Sequence, residues 1–427
     1  MTSGQYESEF ISVNGEMFKR HSKGEVDYHS LCGTVKVQRY IYRKSGVRNG
    51  PTVVPLDVMS QIVERSTPAL AYRAALGDAQ CPGRQWEEQL RASHRRPPSR
   101  STLERIAKRI GNAAKEAAPQ ILQVVRADEP LHEEAISLSI GLDRTTIPME
   151  EKLRWVDMPP ERKRKKPYVR RKPASVAVNY RMAYVGTICL TGPNGESLQT
   201  YRYGCSADED PVKVINEMMA DTLNIQKQRK KNDMPPLPMG IIQDGAPEMW
   251  NLVEAAVRKA FPGEHFDKAI DRYHLMERLA ESFKAIRDFS VTREIQMKEW
   301  SEALDKDDDA IRRIEKHLLT EKKRQEQRKT ISRANAEILR IHLTYIANNK
   351  HLMRYASVRN KGLPTGSGAT EGACKSLIMI RTKGCGQRWH SSGVNSVLTL
   401  RSLYQNERLK TFWNAMCEQK SLCVKAA

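Results

Sequence analysis

The feature that most restricts the fold is an apolar run, Ala135-Ile-Ser-Leu-Ser-Ile-Gly-Leu142, that stops on Asp143. A run of this length, bounded by polar residues, reads as a buried strand. Strand-like stretches resume at 174–190 and 198–205, joined by the turn signal Gly192-Pro-Asn-Gly195. Asp210-Pro211 then opens a helix running to about Lys227, and the short run Met239-Gly-Ile-Ile242 leads to Asp244. Pro247 opens a further helix to Ala260, residues 265–273 are again strand-like, and 275–288 is amphipathic through Leu275, Leu279, Phe283 and Ile286. Elements in this order predict an α/β class, a mixed sheet covered by helices.

The flanks read differently. Residues 24–43 alternate as a hairpin would, with Gly33 between the strands, and Ser45–Gly50 reads as a loop. Helices are predicted over Leu56–Glu64, from Thr67-Pro68 onward, and over Trp86–His94. The break Arg95-Arg-Pro-Pro-Ser99 separates the last from a helix opened by Ser101-Thr-Leu-Glu104, which has the form of a capping box. That helix carries Leu103, Ile106, Ala107 and Ile110 on one side and Arg105, Lys108 and Arg109 on the other, with Gly111 as its expected end. Two helices with a tight break and a basic second helix read either as a helix-turn-helix or as a helical hairpin with a solvated face. From 291 to 355 the chain is charged, helical in pattern and almost free of glycine, which predicts a compact all-α insertion rather than a loop. Gly366-Ser-Gly-Ala-Thr-Glu371 opens a last helix to about Lys383, stopped by Gly384.

The chain carries 71 Lys and Arg against 51 Asp and Glu, a formal charge of +20. An excess of this size is self-repelling and points to a polyanionic partner, most commonly nucleic acid. Residues 161–172 put eight basic residues into twelve, Arg162, Lys163, Arg164, Lys165 and Lys166 among them. Such a run is a solvated loop or a phosphate grip. No run of about eighteen apolar residues exists, so no membrane span is expected. The segment MTSGQYESEF has neither the basic start nor the apolar stretch of a secretion signal. The eight cysteines form no Cys-x-x-Cys pair, which suits reduced thiols in a cytoplasmic protein rather than a zinc ribbon or disulfide framework.

Two strand ends and one helix start therefore carry acids: Asp143, Asp244 (followed by Gly245, which permits a sharp turn) and Glu371. Carboxylates so placed converge on a point while remaining distant in sequence. Phosphodiester chemistry uses two hard divalent cations about 3.5–4 Å apart, and these take oxygen ligands. Acids at such places also serve as turn formers or helix caps, so position alone leaves both readings open.

Three stretches narrow the choice. They are Ser139-Ile-Gly-Leu-Asp143-Arg-Thr-Thr-Ile-Pro148, Gln243-Asp244-Gly-Ala-Pro-Glu-Met-Trp250-Asn, and Gly366-Ser-Gly-Ala-Thr-Glu371-Gly-Ala-Cys-Lys375 continuing through Arg381-Thr-Lys-Gly-Cys-Gly386-Gln-Arg-Trp389 to Val394–Arg401. Across roughly Leu31 to Tyr404 the chain resembles the DDE transposases of bacterial insertion sequences, most closely the ISKra type. The resemblance implies an RNase H-like mixed sheet at 131–290 and 356–405, with the all-α insertion at 291–355. Ahead of it would stand a β-hairpin region at 1–50 and a mainly helical DNA-binding region at 51–130, and after it a tail at 406–427.

It also implies that Asp143, Asp244 and Glu371 hold two Mg2+ or Mn2+ ions, with Asp143 shared between them. The expected partner is double-stranded DNA, both the terminal inverted repeats of the element and the target, bound by a homodimer or larger assembly. His274, in the word Asp271-Arg-Tyr-His274, reads either as a contact to the leaving strand or as a helix-start histidine held by backbone. Lys375, Arg381, Lys383 and Arg388 are expected to line the DNA groove, with 375 and 382 on one helix face. Trp250 and Met249 read as core. Two departures stand out: Arg144 follows Asp143 where relatives often have Gly, and Ser45–Gly50 lacks the cysteine pair that relatives can carry, so zinc is not expected there. A nuclease that cuts without joining, and a transposase-derived regulator without activity, are the rival readings.

Overall fold

The computed structural model describes residues 8–152, 176–286, 292–384, 386–421 and 424–426. It is mixed α/β, with two five-stranded sheets and many helices. The basic run at 161–172 lies outside the described residues. Among those described, no helix is long and apolar enough to cross a membrane.

The first sheet comprises β1 (Phe10–Val13), β2 (Glu16–Ser30), β3 (Gly33–Lys44), β4 (Thr52–Val53) and β10 (Val424–Ala426), in the order β10-β1-β2-β3-β4 and antiparallel throughout. Its hairpin is longer than the alternation at 24–43 predicts, because pairing continues past a bulge between Arg20 and Ser22 to Phe18↔Lys44. A small apolar cluster of Ile11, Phe18, Tyr42 and Val424 holds one end.

Helices α1 (Pro55–Met59), α2 (Pro68–Gln80), α3 (Gly83–Ala92) and α4 (Arg100–Ala127) follow. The helix expected over 56–64 is cut short at Met59, and Gln61, Glu64 and Arg65 take left-handed backbone angles. Helix α4 has the predicted sides: Leu103, Ile106, Ala107 and Ile110 are buried, while Arg105, Lys108 and Arg109 are exposed. Its ends differ from expectation. It starts one residue before Ser101, no side-chain cap bonds its first turn, and Glu104 faces Arg100 at 3.7 Å instead of reaching back. Nor does Gly111 end it. A Cβ there would meet Ser396 Oγ at 2.0 Å, so this glycine lets a second helix, α14 (Ser391–Gln405), lie against α4.

The second sheet holds β5 (Ser137–Lys152), β6 (Val176–Thr191), β7 (Ser197–Cys205), β8 (Met239–Gln243) and β9 (Asp267–Ile270), ordered β7-β6-β5-β8-β9. The first three strands are antiparallel neighbours, and β8 and β9 join parallel to β5. Parallel neighbours need crossovers, supplied by α5 (Val212–Lys231) and α6 (Pro247–Ala260). Leu138, Ile140 and Leu142 bury one face of β5 beneath the α5 side. The opposite face, beyond Gly141, carries α12 (Gly368–Ala373), a π-helical segment Cys374–Met379 and the short α13 (Ile380–Thr382).

Between β9 and α12 lie α7 (Arg272–Ala285), then α8 (Arg293–Lys306), α9 (Ala310–Arg328) and α10 (Arg333–Asn349), and α11 (Tyr355–Asn360). Trp300, Leu304, Ile311, Ile314, Leu318, Leu339 and Leu343 join these helices to the core of the second sheet.

Among the described residues from 406 on, the chain packs into the fold instead of forming the tail expected at 406–427. Helix α15 (Leu409–Ser421) buries Leu409, Phe412, Trp413 and Met416 among the residues of α2 and α4, and β10 closes the first sheet. Arg408, just ahead of α15, explains part of this. It is buried between Glu129 and Asp221, bonding Asp221 Oδ2 at 2.8 Å, and Asp221 also accepts from Arg126 and from Tyr203. Burial works against ionisation of Asp221, but Arg408 and Arg126 outweigh it and hold the carboxyl below its usual range. This network joins α4, α5, β7 and the C-terminal helices.

Candidate functional site

Asp143 lies within β5 rather than at its end. The β-branched residues after it, Thr145, Thr146 and Ile147, keep the ladder with β6 intact as far as Lys152. Because side chains alternate along a strand, Asp143 shares its face with Gly141. A Cβ on Gly141 would meet Thr370 Oγ1 at 2.1 Å and the carbonyl of Ile242 at 3.1 Å. Glycine therefore admits the start of α12 to the sheet, where the Thr370 hydroxyl bonds that of Thr187 at 2.7 Å. Glu371 is the next residue.

The Asp143 carboxylate has two donors: the backbone N–H of Arg144 to Oδ1 at 2.7 Å, and the Cys374 thiol to Oδ2 at 3.3 Å. Burial pushes the Cys374 thiol well up, and the charge of Asp143 and the bond to it add to that, so the sulfur stays protonated and donates. The Arg144 side chain turns to Glu248 at 2.8 Å. Arg144 thus serves Asp143 through its backbone.

Asp244 stands one residue past β8. Burial raises its carboxyl above the usual range and the nearby charge of Asp143 raises it further, opposed by the backbone N–H of Ala246 and by His274 and Arg144. The strands β5 and β8 thus bring two carboxylates into electrostatic contact. Trp250 is buried as expected and also donates its indole N–H to the Asp244 carbonyl at 2.7 Å. Gly245 is required by close approach: a Cβ would stand 2.9 Å from the Tyr345 ring, itself faced by Arg278 at 4.0 Å.

Glu371 occupies the first turn of α12, half exposed, with Lys375 Nζ at 3.7 Å. Among the described residues no three His, Cys, Asp or Glu side chains stand close enough together to hold a metal ion. The structure therefore couples Asp143 with Asp244, and sets Glu371 beside them on a docked helix, turned toward Lys375. His274 lies in the first turn of α7 with Nδ1 3.1 Å from Glu277 Oε2, and it is among the groups that oppose the rise of the Asp244 carboxyl.

Of the expected groove residues, Lys375, Lys383 and Arg388 are exposed, and Lys383 bonds Thr145 Oγ1 at 3.0 Å, on the same face of β5 as Asp143. Arg381 is different. It is only 6% exposed, pairs with Asp78 at 2.7 Å, donates to the Asp78 carbonyl and lies 4.9 Å over Trp389, so it fastens α13 to α2 and is not available to DNA. Positions 375 and 382 do not share a face either: Lys375 is exposed and Thr382 fully buried. The π-helical turn between them rotates the register away from that of an α-helix.

Sequence reading passed over three residues that shape this site. Cys374, three residues after Glu371, is one of them. Arg401, on α14, donates to the carbonyls of Leu377 at 2.7 Å and of Ser376, which the π turn leaves open. Asp271 ties the lead-in loop of α12 to the start of α7. For Asp271 a signal existed, an Asp between a strand and a helix; for the other two the partner lies too far along the chain to be read. Comparison with protein-family models finds no match, and comparison with curated proteins finds none either.

Proposed function

We propose that this chain is a DNA transposase of the DDE type, with an RNase H-like core, acting on the terminal inverted repeats of an insertion sequence. The observation that carries the reading is the placement of Asp143 within β5 and of Asp244 just past the neighbouring parallel strand β8, near enough for the charge of one to act on the other, with the Glu371 helix docked over Gly141 on the face of β5 that carries Asp143. The strand order β7-β6-β5-β8-β9, with three antiparallel strands and two parallel ones, supports the RNase H-like assignment.

The two aspartates suit Mg2+ or Mn2+, since their donors are hard oxygens. The like-charge cost at Asp244 is one that a divalent cation relieves. Bound there, such ions supply charge neutralisation at the scissile phosphate and activation of the attacking oxygen. The protein's own part is positional. Arg144 N–H and Cys374 orient Asp143, and Trp250 fixes the backbone at Asp244. Lys375 and Lys383 draw the DNA backbone toward the acids, and a phosphate that takes Lys375 releases Glu371 to join them. The exposed Arg105, Lys108 and Arg109 of α4 belong to the end-binding surface. Joining two ends requires at least two chains in the active assembly.

The test is incubation of the full chain with duplexes carrying the element's ends, in Mg2+ and in Mn2+. Cleavage at the ends followed by joining of the freed 3′-hydroxyl to a second duplex is expected. Cutting without joining would make the protein a nuclease, and end binding without cutting would make it a regulator.

A further inference from the structure

The helical insertion meets the candidate site at the turn after Asp244. Tyr345, on α10, lies against Gly245 so closely that a Cβ there would stand 2.9 Å from its ring and 3.2 Å from its hydroxyl oxygen. Arg278, on α7, stands over the same ring, its guanidinium 4.0 Å from the ring centre. Burial raises the Tyr345 hydroxyl above its usual range, Arg278 opposes the rise, and the charge of Asp244 adds to it, so both charges act on one hydroxyl. Arg278 is also four residues past His274, on the same helix face, and His274 is among the groups that act on Asp244. This face of α7 therefore runs from the acids to the Tyr345 ring.

Arg278 differs from its neighbours on α7 in how it is matched. Arg272 pairs with Asp305 at 2.8 Å, Glu277 faces His274 at 3.1 Å, and Glu281 faces His342 at 3.2 Å. Among the described residues, Arg278 forms no ion pair with a carboxylate, although it is half-buried. A guanidinium that gives its face to a ring keeps N–H donors along its edge, in a planar fork. That fork fits the oxygens of a phosphate, and such charge-assisted bonds are the strong ones. A cation already held against a ring also loses less freedom when a ligand binds.

We propose that Arg278 binds a backbone phosphate of duplex DNA beside Asp143 and Asp244, with Tyr345 of the insertion holding its guanidinium in place for that contact. This rests on the reading of the acids as a DNA-processing site. It gives the insertion a part in that site, as the platform beneath Arg278. A contact of this kind supplies affinity and register rather than sequence choice.

The experiment measures binding of the full chain, of Arg278→Gln, and of Lys298→Gln on α8 as a control of equal charge change. Fluorescence anisotropy is read with a labelled end duplex, and with a set of the same duplexes in which one phosphate at a time is a neutral methylphosphonate. Arg278→Gln should bind the unmodified duplex about tenfold more weakly. Its slope of log K against log salt should fall by about one. At one linkage the parent should lose affinity on neutralisation, and Arg278→Gln should lose no more. Arg278→Lys keeps a cation for the ring without the fork, so it should fall between the two, and it carries the comparison if thermal unfolding shows the glutamine variant to be unfolded. Binding equal to that of the control overturns the proposal. So does weaker binding with the parent's sensitivity at every linkage, which would make Arg278 a structural residue only. If the parent binds and shows the coupled linkage but does not cut in Mg2+, the phosphate contact stands and the transposase reading falls. If the parent binds no duplex, both fall.

Discussion

The carboxylate of Asp271 accepts from the backbone N–H of Ser367 at 2.8 Å and from the Ser367 hydroxyl, while its other oxygen accepts from Tyr273 N at 2.6 Å. One buried side chain thus caps α7 and holds the loop that leads into α12, 96 residues away. Asp271→Ala leaves the buried Ser367 N–H without its partner and removes a helix cap. Stability should fall by about 3 kcal/mol, read by urea unfolding, and cleavage should fall even at temperatures where the variant is folded, because Glu371 follows the loop. Asp271→Asn, which keeps an acceptor oxygen, should lose less. A change within about 0.5 kcal/mol for the alanine variant, the range of an ordinary surface substitution, would deny this tether its role.

Arg381 is predicted to matter for folding and not for DNA. Its guanidinium and the Asp78 carboxylate are both buried, and burial pushes the Asp78 carboxyl up against the opposing pull of Arg381. Arg381→Ala strands that carboxylate, at a cost of about 3–5 kcal/mol. Urea unfolding measures the loss. Near-parental stability combined with a weaker salt response in DNA binding would show that the side chain reaches DNA after all.

Gly141 governs how closely α12 approaches the sheet. Gly141→Ala forces the new methyl onto Thr370 Oγ1 and should cost about 1–3 kcal/mol by overpacking, together with most of the cleavage activity. Removing the hydroxyl in Gly141→Ala/Thr370→Ala should restore part of both. If the double variant is no better than the single one, contact with Thr370 is not the constraint.

Asp244 carries a pH signature. Its folded carboxyl is raised by burial and by Asp143, so the folded state binds more protons than the unfolded state as pH rises from the usual value of 3.8 through the raised one. Stability therefore falls across that window, and the ionised form is the costly one at neutral pH. Asp244→Asn should melt higher than the parent at pH 7, with the difference shrinking as pH falls toward 3.8. Thermal melts in the absence of divalent ions measure it; a lower melting temperature at pH 7 would contradict the crowding of the two carboxylates.

Much of the second sheet was legible because its strands contain apolar runs bounded by turn residues, although β5 runs on past Asp143 to Lys152, and helical spacing along α4 named its buried side correctly. The acids could be located but not brought together, since the contact depends on Gly141 and Thr370, which are far apart in the chain. Long-range partners also explain the errors. Gly111 looks like a helix stop until Ser396 is beside it, and Arg381 looks like a groove cation until Asp78 is. The C-terminal residues read as a tail because the core they complete lies in α2 and α4. The rotation of Lys375 away from Thr382 needed the π turn, whose opened carbonyls are met by Arg401 from another helix.

The most direct measurement is end cleavage and strand transfer, in Mg2+, by the parent chain and by Asp143→Asn, Asp244→Asn and Glu371→Gln, each first shown to bind the end duplex as the parent does. The parent should cut and join, and each single variant should lose both by orders of magnitude while retaining binding. Parental rates in the Asp143 or Asp244 variant would contradict the assignment of this pair of carboxylates as the catalytic centre.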